Sequence, residues 1–216
     1  MAAAVSLAVA SPAAAAIVID VGPGVLQPEE NLLFNNNPAP GLTVEGVTNQ
    51  TNTFVSIFGG ETLVGDGGQA RLDTLDGTIS STFTFQGLAN QLVGFDFSDP
   101  TLAFTSTEFR LFGGTATEAT LTFVDTDGEV FTETLTLLPN GFFNAVAIDD
   151  QLIDYFSIAA NGTIGDIRQI RIGGVTEING GGGGEIPEPT TWAMMILGFG
   201  AAGASFRRRR AMHGFA

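Results

Sequence analysis

Carboxylates carry almost all the chemistry this sequence can offer. Its 216 residues include 23 Asp and Glu, no Cys, no Lys and one His, His213, close to the carboxyl end. Without thiols there are no disulfides, no Cys-ligated zinc and no thiolate nucleophile. A lone terminal His builds neither a Ser-His-Asp relay nor a multi-His metal site in the body. The absence of Lys removes Schiff-base chemistry and the phosphate-loop lysine as well. What remains is carboxylates, hydroxyls, Arg and the single Tyr155. Two carboxylates suffice to cleave a glycosidic bond, so a carboxylate-dependent polysaccharide-active enzyme is one open reading. No particular pair stands out, and no catalytic residue is assigned.

Metal chemistry has one local candidate. Asp125, Asp127 and Glu129, in Asp125-Thr126-Asp127-Gly128-Glu129, place alternate carboxylates around a tight turn and could offer calcium several oxygens. The stretch is too short for an EF-hand loop, and a solvated hairpin turn accounts for the same residues. Asp149 and Asp150 with Asp154, and Asp96 with Asp99, are acidic clusters of the same ambiguous kind. No cofactor is required, calcium being the one possibility.

These groups must be positioned by strands. From Ile17 to Val175 apolar residues alternate over short runs: Phe83 and Phe85; Val93, Phe95 and Phe97; Leu121 and Phe123; Ile170 and Ile172. Period two is the mark of half-buried strands. Turn signals such as Asp76-Gly77, Asn140-Gly141 and Asn161-Gly162 recur between them, and this spacing predicts an all-β, antiparallel β-sandwich of jelly-roll type with ten or so strands. The clearest hairpin runs from Ala119 to Leu137 and folds at Asp125–Gly128, setting Thr132, Thr134 and Thr136 opposite Thr120 and Thr122. A short helical turn is expected over Asp149–Phe156. Most of the 18 Phe fall in this body and serve as core filler. A sugar ligand would then depend on Asp, Asn, Gln and Arg hydrogen bonds, with Tyr155 the one flat polar ring available.

Charge excludes one class of partner. Between residues 17 and 189 four Arg face all 23 carboxylates, an excess of 19 negative charges. Nothing there can neutralise a run of phosphates, so nucleic acid is not a partner. The same excess keeps an exported protein soluble.

Both ends read as addresses. Ala2–Ala10 is small and apolar, Pro12 interrupts it, and Ala13–Ala16 offers the Ala-x-Ala pattern of signal-peptide cleavage through Ala14 and Ala16. Residues 1–16 are expected to be an export signal. Met1 is not followed by Lys or Arg, so translation is expected to start upstream of it. At the other end, a Gly-rich linker at 179–186 leads to Pro187-Glu188-Pro189 and an uncharged stretch at 190–206. The cluster Arg207, Arg208, Arg209 and Arg210 follows, and then the tail 211–216. From Trp192 to Phe206, 15 residues rise about 22 Å, short of the ~30 Å hydrocarbon core. Local thinning, Trp192 at one interface and snorkelling Arg at the other allow a transmembrane helix over 190–206. The Arg cluster fixes that end in the cytoplasm and the body, 17–178, outside.

Pro187-Glu188-Pro189, two spacer residues, Trp192-Ala193, an apolar stretch and a terminal Arg run resemble the PEP-CTERM sorting signal in its PEPxxWA form. The same kind of tail is also named an ice-binding protein C-terminal domain. The resemblance covers roughly the last 30 residues and departs from the pattern in the extension Ala211–Ala216. It implies a Gram-negative, polysaccharide-producing bacterium whose exosortase-type membrane enzyme recognises the tail, cuts near Pro187–Pro189 and releases the body to the cell surface or matrix. The expectation is an exported, non-catalytic surface or exopolysaccharide-associated biofilm matrix protein. It would pass through an inner-membrane-anchored precursor with its body in the periplasm.

Overall fold

The computed structural model describes residues 16–22, 29–67, 70–138 and 141–178. The signal residues before Ala16, the linker, the stretch 190–206, the sorting segment and the tail lie outside the described residues. Within them the chain is all strand and turn, with no helix.

Sixteen strands follow in order. The first eight are β1 (Ala16–Val21), β2 (Glu29–Leu33), β3 (Gly41–Thr48), β4 (Phe54–Asp66), β5 (Arg71–Thr74), β6 (Phe83–Phe85), β7 (Leu88–Gln91) and β8 (Val93–Phe97). The rest are β9 (Leu102–Ala103), β10 (Ser106–Phe112), β11 (Glu118–Asp125), β12 (Val130–Thr136), β13 (Phe142–Ile148), β14 (Ile153–Ala160), β15 (Asp166–Gly173) and β16 (Thr176–Glu177). Alternation drives them: β13 buries Phe143 and Ala145 while Phe142, Asn144 and Val146 stay half-exposed.

Twelve strands form one antiparallel sheet. Strands β15, β2, β3, β4 and β5 close into a ring, because β5 pairs with both β4 and β15. One arm leaves β15 through β10 and β13 to β1; the other leaves β4 through β8, β14 and β11 to β12. The antiparallel all-β class is as the alternation predicts. The pairing is one twelve-stranded sheet with a closed ring, beside the two-stranded pairs β6–β7 and β9–β16, where a jelly roll divides eight strands between two sheets.

Phenylalanines join the arms. Phe156 on β14 stacks on Phe95 at 4.4 Å, on Phe123 at 5.4 Å and on Phe109 of the opposite arm at 5.6 Å. Phe109, Phe123 and Phe156 are wholly buried. Each such side chain contributes about 1.5–3 kcal/mol by leaving water, and offset rings add about 0.5–1.5 kcal/mol per pair.

Two details depart from strict alternation for one reason. On β14, Val124 of β11 pairs with Tyr155 and Asp125 with Ile153, so Asp154 is an extra, bulged residue. That bulge sets the core residues Ile153 and Phe156 three apart. This spacing resembles a helix, but the expected helical turn over Asp149–Phe156 is absent. Asp149 and Asp150, at φ 55° and 63°, instead make a tight turn closed by Gln151 N donating to Ile148 O at 3.2 Å; Asp tolerates this left-handed backbone better than most residues. The second bulge is on β15. Glu108 of β10 faces Arg171 and Arg110 faces Arg168, so Gln169 and Ile170 together oppose Phe109.

Candidate functional site

The bulge on β15 builds the most distinctive surface of the body. Gln169 adopts φ 52°, and the extra residue resets the phase of the strand. Ile167, Ile170 and Ile172 all reach the core, while Arg168, Gln169 and Arg171 line one groove with Asn31 and Leu33 of β2, Arg110 and Phe112 of β10, and Ala70. The groove encloses about 360 Å³. Among the described residues that line it none is acidic, in a body with a large excess of carboxylates.

The acids stand behind the arginines. Buried Asp166 accepts from Arg168 Nε at 2.7 Å and Nη2 at 2.6 Å, and lies 3.0 Å from Arg71 Nε. Arg71 also pairs with Asp73. Buried Glu108 accepts from Arg171 Nη1 at 2.8 Å, and Asn31 Oδ1 accepts from Arg171 Nε at 3.3 Å. Behind this pair, burial and then the Glu108 charge push the Glu29 carboxyl up, while a hydrogen bond from Ser106 and the charge of Arg171 draw it down. Arg110 Nη1 donates to Gln169 Oε1 at 3.1 Å. Arg110 and Arg168 face each other across β10 and β15, a like-charge pairing that costs stability by itself. Rings offset that cost: Arg110 lies 4.4 Å from the Phe142 centroid and 4.7 Å from Phe112, and Arg168 lies 4.3 Å from Phe112. Stacking and ion pairing hold these guanidinium planes in fixed directions.

A second cluster is acidic. Asp96 of β8 faces Tyr155 of β14, next to the bulged Asp154. Burial, then the Asp154 charge, push the Asp96 carboxyl up to about 6, against hydrogen bonds from Gln86 and the Phe97 backbone that lower it. Burial and Asp125 push Asp154 up; burial, Asp154 and Asp96 push Tyr155 up. The hairpin of β6 and β7 covers this face: Gln86 Nε2 donates to Asp96 at 3.2 Å, the Tyr155 hydroxyl reaches Gln86 O at 3.5 Å, and Phe85 packs edge-on to Tyr155 at 5.1 Å. Tyr155 is 7% exposed and offers no platform to a sugar. Phe54, 49% exposed, stands at another groove of about 440 Å³, which it shares with Glu45, Asn52, Ser98 and Asp99.

The calcium candidates sit on a closed turn. Strands β11 and β12 pair as expected, Thr120 with Thr134 and Thr122 with Thr132, and the first pair of hydroxyls lie 2.9 Å apart. Asp125 is buried and its Oδ1 accepts from Asp127 N at 3.0 Å and Glu129 N at 2.8 Å. Asp127 and Glu129 are exposed. The carboxylate of Asp125 thus staples the turn, and among the described residues no three metal-ligating side chains gather. Asp99 is engaged locally as well: the Thr101 hydroxyl and backbone donate to it and hold its carboxyl below the usual range. Ala16 opens β1, whereas Ala14 lies outside the described residues.

Sequence alone singled out the carboxylates and left Arg110, Arg168, Gln169 and Arg171 unplaced. The signal was available in the run Ile167, Ile170, Ile172, whose first interval of three within a strand marks a bulge.

The sorting candidates Pro187, Glu188, Pro189, Trp192, Arg207, Arg208, Arg209 and Arg210 lie outside the described residues, as does the stretch 190–206. No curated protein and no solved structure matches the chain. Its carboxyl end does match a family model: residues 185–210 correspond to the PEP-CTERM protein-sorting motif, which implies an exported protein processed by an exosortase membrane enzyme.

Proposed function

We propose that the protein is a non-catalytic component of the cell surface or extracellular matrix. Its precursor is anchored in the inner membrane by a helix over 190–206 with the body in the periplasm, and it is processed at the sorting signal and passed outward, where it associates with exopolysaccharide. The observation that carries this reading is the motif match over residues 185–210, with its order of Pro-Glu-Pro, Trp, apolar stretch and Arg cluster. Two features of the body support a passive role. Its interior is filled by stacked phenylalanines, and its most perturbed carboxylate, Asp96, lies under the β6–β7 hairpin and bonds to Gln86. A glycosidase needs a carboxyl pair open to a sugar chain.

Expression in the native host with and without the exosortase-type enzyme tests the reading. Intact sorting releases a shortened body to the envelope or medium; loss of the enzyme, or replacement of Pro187 and Glu188, leaves full-length precursor in the membrane fraction. Neutral residues at Arg207–Arg210 disturb orientation or retention. A precursor found wholly in the cytosol, or unchanged processing in these variants, refutes it.

A further inference from the structure

We infer that the groove between β2, β10 and β15 is a binding site for an acidic saccharide, a sugar chain bearing carboxylates. Which hydrogen-bonding groups of the lining residues remain available follows from what is already spent. Asp166 takes Nε and Nη2 of Arg168, leaving Nη1; Glu108 and Asn31 take Nη1 and Nε of Arg171, leaving Nη2. Arginine only donates, so the amide oxygens of Asn31 and Gln169 must be the atoms turned toward Arg171 and Arg110. Their NH2 groups remain. Each of these four side chains therefore has donors to spare, and the side-chain acceptors are committed to arginines. A ligand that fits must supply acceptors, and two guanidinium edges favour negative ones.

Size and spread separate a sugar chain from a small ion. Because of the bulge, Arg168 and Arg171 face Arg110 and Glu108, two residues apart on β10, about 7 Å at the rise of a strand, and Asn31 adds a donor one strand further out. Donors spread over two strands can meet more than one group of a sugar chain at once. The volume of about 360 Å³ lies in the range of pockets for organic ligands. Phe112 and Leu33, which also line the groove, present apolar surface suited to the C–H face of a pyranose. Arg168 and Arg171 are 36% and 34% exposed, so they are reachable without unfolding, and their buried carboxylates and the Phe112 ring fix them before a ligand arrives, which lowers the ordering cost of binding. The inference rests on the matrix reading above only for the source of the ligand.

Calorimetric titration of the full-length chain in mild detergent with trigalacturonate, maltotriose and citrate is the test. Trigalacturonate binds, more weakly as salt rises, while maltotriose does not. Arg168→Gln weakens trigalacturonate at least about tenfold, the loss expected for a hydrogen bond to a charged group. Arg71 still pairs with Asp166 in that variant, and an unchanged melting curve verifies the fold. Gln169→Glu keeps an acceptor for Arg110, puts a carboxylate in the groove and also abolishes binding. The inference is overturned by absent trigalacturonate binding, by maltotriose or citrate binding as tightly, or by folded variants that keep wild-type affinity. Fractionation in the native host fails or succeeds independently of these titrations, so loss of the sorting reading and loss of this one are distinguishable.

Discussion

Replacing Asp96 by Asn should stabilise the protein near neutral pH, and the gain should shrink as pH falls. Asp96 has its carboxyl raised from the ordinary 3.8 to about 6 by burial and by Asp154. A raised acid binds its proton more tightly when folded, so its contribution is fully favourable below the unfolded value and is lost as pH rises through about 6. The shift corresponds to about 3 kcal/mol for a group shielded from water. Asp96 is only half-buried, and solvent screening reduces the figure to about 1–2 kcal/mol. Asn keeps the hydrogen bond that Gln86 Nε2 donates and removes the charge. Urea titrations of wild type and Asp96→Asn at pH 7.5 and pH 5 measure the difference, free of the carboxylates common to both. The chain has a sequence pI of about 4.1, so pH 5 is as acidic as solubility allows. There the native carboxyl is mostly protonated, and about half the gap should be gone. An Asn variant that is less stable at pH 7.5, or a gap that does not narrow at pH 5, refutes the account of this cluster.

Other perturbations read different parts of the structure. Phe156→Ala removes the ring that touches Phe95, Phe104, Phe109 and Phe123 and should cost about 3–5 kcal/mol in a urea titration; a loss under 2 kcal/mol shows that the arms do not depend on this stack. Burial tends to raise Glu30, but hydrogen bonds from the Thr51 and Gln50 backbone and from threonine hydroxyls outweigh it and hold the carboxyl low. Glu30→Gln should therefore destabilise by about 1–2 kcal/mol at pH 7, and this loss should diminish as pH falls through the lowered value, the opposite sense to Asp96. Gly114 sits at φ 82° with its Cα against the Thr163 carbonyl, where a Cβ has no room; Gly114→Ala should lower the melting temperature, whereas Gly77→Ala, at φ 79° with open space around it, should cost less.

Alternation in the sequence was enough to find the class, the β11–β12 hairpin and its threonine pairs, because each follows from local period-two contacts on one strand pair. What it could not supply was the phase. Ile153 to Phe156 and Ile167 to Ile170 are intervals of three, and only pairing with β11 and β10 reveals them as bulges that keep both members in the core. The ring closed by β5 is likewise invisible to local pattern: Leu72 must meet both Gly65 and Ile167, residues that lie in different strands and far apart along the chain. Tyr155, the one flat polar ring of the body, is buried because the strand-to-strand contact with β8 and the β6–β7 hairpin covers it, and Phe54 is left at a groove instead. Both bulges also turn polar residues outward, Asp154 in one case and Gln169 in the other, which is why the two clusters of unusual electrostatics lie beside them.

The placement of the arginines argues against mere charge balance. A chain this acidic would gain most by setting a cation beside Asp96, Asp154 and Asp125, where burial and then the neighbouring carboxylate raise Asp96 and Asp154. It sets none there. Arg71, Arg110, Arg168 and Arg171 are instead gathered on β5, β10 and β15, two of them opposed across a strand pair at an electrostatic cost that Phe112 and Phe142 help to offset. Their carboxylate partners Asp166 and Glu108 are buried behind them and occupy one edge of Arg168 and of Arg171, so each pair neutralises charge in the wall while leaving donors toward the groove. Neutralisation alone would be served as well by arginines paired on both edges or scattered over the surface. Arg168 and Arg171, with committed backs and donors to spare and shaped by a left-handed Gln169, have a physical rationale if something negative binds in front of them, and the excess negative charge of the rest of the body then confines that binding to a place where an anion is not repelled.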